Sequence, residues 1–161
     1  MKKEYYGTCF IIDYKSLYLI YIEDVDYSGF LSINNELIRF EVYEEFTNYL
    51  ENNYLLLEND KDITIYDFDQ LSELIKLMGE KLDCNLIINY WNIVDDVCNA
   101  QSLDFIGKNK RFNEVYEKLF RGCNTAANIF EYNHVWNEKE LDLIKEVMIS
   151  CVAIVENLLS K

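Results

Sequence analysis

Asp95 and Asp96 have the strongest claim to chemistry in this 161-residue chain. With Asn92 and Asn99 they fall on one face of a helix, an oxygen-rich patch able to hold Mg²⁺ if a substrate supplies further ligands. Neighbouring helical carboxylates point about 100° apart, however, so the two do not readily grip one ion. The competing expectation is a solvated face opposite Tyr90, Val94 and Val97, and it is the favoured one. The single histidine, His134, stands in a polar stretch near Trp136 with no cysteine close in sequence, so a nucleophile–base pair is not indicated. Five cysteines (Cys9, Cys84, Cys98, Cys123, Cys151) are scattered without a Cys-x-x-Cys pair, which points to reduced, structural thiols and not to a zinc site or disulfide framework. The five glycines, at 7, 29, 79, 107 and 122, are isolated, so no phosphate-cradling loop exists, and no serine sits in a nucleophile elbow. No catalytic residue, cofactor or resident metal is expected.

Charge carries more information than any motif. Residues 1–80 hold 17 acidic and 6 basic side chains, whereas residues 81–161 hold 12 and 9. The chain lacks proline and is rich in Asn, Ile, Tyr and Lys, a bias that should enrich lysine as readily as glutamate, yet acids outnumber bases 29 to 15. A field of that direction attracts basic protein surfaces and repels nucleic acid and anionic membrane. Three clusters carry it: Glu23, Asp24 and Asp26 at a strand end, Glu44, Glu45 and Glu51 on a helix, and Glu58, Asp60 and Asp62 in a loop. Of these, Asp24, Asp26, Glu44, Glu45, Glu51, Asp60 and Asp62 are the candidate partner-facing carboxylates. The one basic cluster, Lys108, Lys110, Arg111, Lys118 and Arg121, is interrupted by Glu114 and Glu117. It is expected to be a solvated helix face or to pair with the acidic half, and an intermolecular version of that pairing would give a homodimer.

The elements that must position these groups are an N-terminal antiparallel meander followed by helices. Thr8–Ile12 and Leu17–Ile22 form a hairpin across Asp13-Tyr14-Lys15-Ser16, and Gly29–Ile33 and Glu36–Val42 form a second around Asn34-Asn35. A short amphipathic helix follows from Tyr43, and residues 63–66 read as a fifth strand. Asp67 and Gln70 offer a capping box for a helix carrying Phe68, Leu71, Leu74 and Ile75. Further helices cover 85–102, 110–121 (with Gly122 as its C-cap) and a final stretch whose start is marked by Trp136, Asn137 and Glu140. The last helix is apolar over much of its circumference and should be central to the packing. The reading is one α+β domain over 1–161, with four to five strands packed on four to five helices. No signal peptide or membrane span is expected, so the predicted location is the cytoplasm.

In size, charge and order of elements, and with the distinctive stretches Trp91-Asn92…Asp95-Asp96 and Tyr116-Glu117-Lys118-Leu119-Phe120-Arg121-Gly122-Cys123-Asn124, the chain resembles the small acidic α+β immunity proteins of bacterial polymorphic and contact-dependent toxin systems. That resemblance implies a stoichiometric inhibitor of a cognate toxin, often a nuclease with a basic cleft, whose carboxylates stand where substrate phosphates would bind. Three other expectations compete with it: a phage-encoded, nucleic-acid-mimicking inhibitor of a host defence nuclease; a small metal-dependent enzyme using Asp95 and Asp96; and a structural or subunit role in which an exposed aromatic surface makes the chain dimerise. For the acidic clusters themselves, plain solubility is an expectation of equal weight.

Overall fold

The turn between the first two strands is built from two residues in the left-handed region, Asp13 (φ 51°) and Tyr14 (φ 59°), and it fixes the frame of the sheet. Two consecutive positive φ values match the right-handed strand twist, so the hairpin closes tightly. In the computed structural model, which describes residues 2–60, 62–79, 82–123 and 135–159, β1 (Glu4–Ile12) pairs antiparallel with β2 (Lys15–Glu23) along its whole length. The Asp69 carboxylate holds the exposed turn, accepting from the Asp13 and Tyr14 amides at 2.9 Å each.

The outer edge of β2 is shared. β3 (Ser28–Phe30) pairs with Tyr21–Glu23, and β6 (Arg39–Phe40) with Tyr18 and Leu19. Between them β4 (Ser32–Ile33) and β5 (Glu36–Leu37) make a small separate hairpin around Asn34 and Asn35, again both at positive φ. The second predicted hairpin therefore does not add two long strands. Its arms leave the sheet at Leu31, whose amide bonds Ile20 O, and β6 returns lower down the same edge. On the other side β7 (Thr64–Asp67) runs parallel to β1, giving a mixed sheet of order β3-β2-β1-β7.

Both sheet faces are apolar because strand alternation is apolar on both sides. One face presents Tyr5, Tyr18 and Ile20 to α1 (Tyr43–Asn52), whose Phe46 and Leu50 are buried on it. Leu57 and Ile63 crowd Gly7 on this face, so that a Cβ there would lie 3.1 Å from Leu57 and 3.2 Å from Ile63. The opposite face holds Phe10, in edge contact with Phe30, Tyr66 and Phe68.

The remaining helices are α2 (Phe68–Leu77), α3 (Cys84–Ala100), α4 (Asn113–Cys123) and α5 (Glu138–Leu159). The architecture is α+β. By internal contacts the chain resolves into two compact units: Met1–Asp69 with Asp96–Asp104 and Val155–Lys161, and Gln70–Asp95 with Phe105–Ile154. The second unit is built round Trp91, which meets Phe112 and Tyr116 edge-on. Gly107 is required there, since a Cβ would come within 2.6 Å of the Trp91 indole nitrogen. α5 starts as its sequence predicts: Asn137 Oδ1 accepts from the Glu140 amide (2.8 Å) while Glu140 Oε2 accepts from the Asn137 amide (3.1 Å), a reciprocal capping box. Its Ile144, Met148, Cys151, Val155 and Leu158 stripe is buried. Gly122, by contrast, lies inside α4 and not beyond it. Among the described residues no helix is long and apolar enough to cross a membrane.

Candidate functional site

Glu4 and Glu23 are directly paired across β1 and β2, a like-charge pairing that costs stability in a sheet. Around them the chain adds more acid. The Tyr6 hydroxyl donates to Glu4 Oε2 at 2.8 Å, and its ionisation is pushed up to about 12 by that bond, by burial, and by the charges of Glu4, Glu23 and Glu58. Glu58 is anchored there because its amide bonds Tyr5 O where Leu57 bridges to β1. Lys2 approaches Glu58 at 3.9 Å, but it is 82% exposed, so it neutralises little. An open cleft of ≈ 390 Å³ lined by Lys2, Glu4, Glu23, Asp24 and Val25 lies at this end of the sheet.

The sheet register places the predicted carboxylates. Asp24 and Asp26 occupy the β2–β3 turn, which Asp24 closes by donating its amide to Tyr27 O and accepting from the Val25 amide at 2.7 Å. Asp60 and Asp62 lie between Leu57, opposite Tyr5, and Thr64, opposite Thr8. All four are exposed and stand at the end where β1 begins and β2 finishes, about two to three strand spacings apart, or roughly 10–15 Å. That spread exceeds the Debye length of about 8 Å at physiological salt, so these charges are largely screened from one another there and act together at lower ionic strength. Glu44 and Glu45 are elsewhere. They fill the first turn of α1, which starts beside Tyr18, midway along the sheet. The helix has Val42 at its N-cap with no side-chain cap, so the two carboxylates have a local role against the helix dipole. Glu45 also borders a shallow groove of ≈ 560 Å³ with Arg39, Phe40, Tyr49 and Leu158. Glu51 is exposed in the last turn of α1. The structure thus sets Asp24 beside Glu4 and Glu23, with Glu58 near Glu4; Asp26 follows in the β2–β3 turn, Asp60 and Asp62 lie in the segment before β7, and Glu44 and Glu45 stand apart.

Asp95 and Asp96 are half-buried, not solvated, and they serve different neighbours. Asp95 Oδ1 is enclosed and meets the Lys108 ammonium at 3.0 Å, an ion pair without hydrogen-bond geometry. Asp96 Oδ2 accepts from the Tyr21 hydroxyl at 2.9 Å. Burial first, and then the Asp96 charge, push the Tyr21, Tyr27 and Tyr66 hydroxyls up from their ordinary range. The carboxylates therefore diverge, as the helical 100° step requires, and among the described residues no group of three or more His, Cys, Asp or Glu is arranged to hold a metal. His134 lies outside the described residues.

Four of the five cations in the basic cluster pair within their own unit. Lys108 meets Asp95, Arg111 meets Glu146 and lies over the Phe112 ring, Lys118 meets Glu140 at 2.8 Å and the Trp136 ring at 4.5 Å, and Arg121 approaches Glu117. None of these pairs uses an acid from the first 80 residues. The consequence is electrostatic: by sequence the first unit carries 18 acidic and 6 basic side chains, the second 11 and 9.

No family model matches the sequence, and no curated protein does. Among solved structures the chain is similar to the C-terminal domain of SatS, solved in complex with bromine, with a TM-score of 0.53 at 10% identity over 95% of this chain and 91% of that one. At so low an identity the likeness concerns the arrangement of strands and helices alone.

Proposed function

We propose that this protein is a toxin-neutralising immunity protein, a cytoplasmic binding module whose acidic sheet end engages and covers a basic surface of its partner. The observation that carries the reading is the Glu4–Glu23 pairing with Glu58 at its side and Asp24, Asp26, Asp60 and Asp62 at the same end. Like charges held opposite one another cost folding energy and are expected where a cationic partner offsets them. Long-range attraction by such a patch accelerates encounter, and association falls steeply as salt is added. Exposed aromatics would supply contact area beside it, Tyr27 in the β2–β3 turn being 45% exposed.

The test is a kinetic one on the product of the neighbouring gene. Reversing Asp24, Asp26 and Asp60 together to lysine should lower its association rate by roughly 10–100-fold at low salt and flatten its salt dependence, with dissociation little changed. The far-ultraviolet circular dichroism should stay that of the parent. Association unaltered by the triple reversal, or a neighbouring product that does not bind at all, would remove the proposal.

A further inference from the structure

β6 covers part of the edge of β2 and has an outer edge of its own. In an antiparallel ladder, residues that exchange both backbone bonds with a neighbour alternate with residues that point theirs away. Ile20 O accepts from the Leu31 amide on the β3 side, so Tyr18, two residues earlier on β2, spends its groups on that same side, where Phe40 is its partner. Phe40 is thereby occupied, and Arg39 and Glu41 direct their amides and carbonyls outward. Among the described residues no hydrogen bond takes up the Glu41 amide or carbonyl. The groove of ≈ 560 Å³ lies along this edge, since residues 37–42 line it without a break. Helices wall it on both faces of the sheet. Strand alternation sends Phe40 to the α1 side, where its ring meets that of Tyr49 at 5.2 Å between centroids. It sends Arg39 to the other side, where its Nε donates to Leu158 O at 3.1 Å. Such a slot admits one extended strand, not the edge of a second sheet carrying its own helices. Its charge is one-sided: Glu41, Glu44 and Glu45 are exposed in or beside it, whereas Arg39 is half-buried and engaged by Leu158. Val42 and Tyr43, each about half exposed, add apolar surface at its end.

We propose that the outer edge of β6 binds an extended segment of a partner protein in which apolar residues alternate with lysine or arginine. The segment adds a strand: its amides and carbonyls pair with those of Arg39 and Glu41, while pockets beside the edge select its side chains. Apolar side chains on the α1 side pack on Phe40 and Tyr49, and the cations pair with Glu41 and Glu45. Glu45 thus gains a role besides its place against the helix dipole. An open strand edge invites indiscriminate pairing, and the two-residue length of β6 together with the flanking glutamates restrains it. This surface is separate from the acidic sheet end, so it stands or falls independently of the function proposed above.

The probe is a short, end-blocked peptide of alternating valine and lysine, titrated at physiological salt into the folded full-length protein while backbone amide resonances are followed. The expected result is saturable binding in which the Arg39 and Glu41 amides shift and gain protection from hydrogen exchange, whereas those of Glu4, Glu23 and Asp24 do not. N-methylation of every second peptide amide leaves its charge unchanged; in the phase that faces β6 it should weaken binding by roughly tenfold or more. Glu41→Lys combined with Glu45→Lys should weaken the unmethylated peptide by about three- to tenfold. Equal affinity for peptides methylated in either phase, protection confined to the acidic sheet end, or no binding at all would each overturn the proposal. So would Arg39 and Glu41 amides already protected in a dimer of the free protein, which would give the edge to a second copy. Mapping and methylation are both read on the parent protein, so misfolding of the double variant does not obscure them.

Discussion

Replacing Asn59 by alanine removes a side chain that substitutes for a strand. Its Oδ1 accepts from the Gly7 amide and its Nδ2 donates to Gly7 O, each at 2.8 Å, and Nδ2 also reaches Asp62 O at 3.2 Å. These bonds fill the gap along β1 between the Leu57 bridge at Tyr5 and the start of β7 at Thr8. Gly7 is buried, so both of its backbone groups lose their partner on truncation. Two net hydrogen bonds contribute about 1 kcal/mol each, and leaving a buried group unsatisfied adds a further share of about 1–3 kcal/mol. Partial water access at the edge trims the total to about 2–4 kcal/mol, and at about 3 °C per kcal/mol for this size that lowers the melting midpoint by roughly 6–12 °C. Asn59→Asp keeps the acceptor but turns a second oxygen toward Gly7 O and adds charge beside Glu58, so it should cost at least as much. Urea denaturation gives the energies, with an unchanged slope showing that the native state is otherwise intact. Hydrogen exchange at the Gly7 amide reports the bond itself. A cost below about 0.5 kcal/mol with that amide still protected would refute the reasoning.

Two further outcomes follow from the polar contacts. Burial, and after it the Asp96 charge, raises the ionisation of Tyr21, Tyr27 and Tyr66 above the unfolded value of 10.0, so the folded state holds their protons longer. Their contribution is complete below pH 10 and is lost as pH climbs through the folded values; Asp96→Asn should make that alkaline loss shallower and bring tyrosinate absorbance in at lower pH, and identical titrations of parent and variant would contradict it. Asn137→Ala removes the cap of α5 and should cost about 1 kcal/mol, measured by denaturant, while Asn137→Ser keeps most of it; equal losses for both would argue against the cap.

Much of the fold is legible in the residues because local chemistry and tertiary context agree there. The Asn34-Asn35 turn, the Phe46 and Leu50 spacing of α1 and the Trp136-Asn137-Glu140 start of α5 all rest on signals internal to a few residues. Where a signal depends on partners distant in sequence, it fails. Reading Asp13 to Ser16 as a four-residue turn sets Ile12 opposite Leu17, whereas Asp13 and Tyr14 alone turn the chain and Ile12 meets Lys15. The faces survive a two-residue slip, because strand alternation has period two, but every cross-strand neighbour changes. Glu4 then falls opposite Val25 instead of Glu23, and the like-charge pair at the centre of the acidic end disappears from view. A second-turn signal was available, since aspartate tolerates positive φ and the hairpin twist favours two-residue turns. Asp69 likewise spends its carboxylate on the distant Asp13–Tyr14 turn, a contact no local pattern encodes.

The charge asymmetry itself acquires its meaning only once pairings are known. Counted along the sequence, the cations of residues 108–121 could neutralise either half. Folded, four of them are engaged by Asp95, Glu117, Glu140 and Glu146, all from the second half. An ion pair at 2.8 Å between groups each 25% exposed, as for Lys118 and Glu140, is screened less than exposed charges a Debye length apart. Such a cation contributes little attraction at longer range, so the acids at the sheet end keep their field. Their mutual repulsion is relieved by the solvent, by the exposed Lys2 beside Glu58 and, under the function proposed above, by a positive partner surface. Of these three, the last can both offset the cost of the Glu4–Glu23 pairing and give that pairing a use.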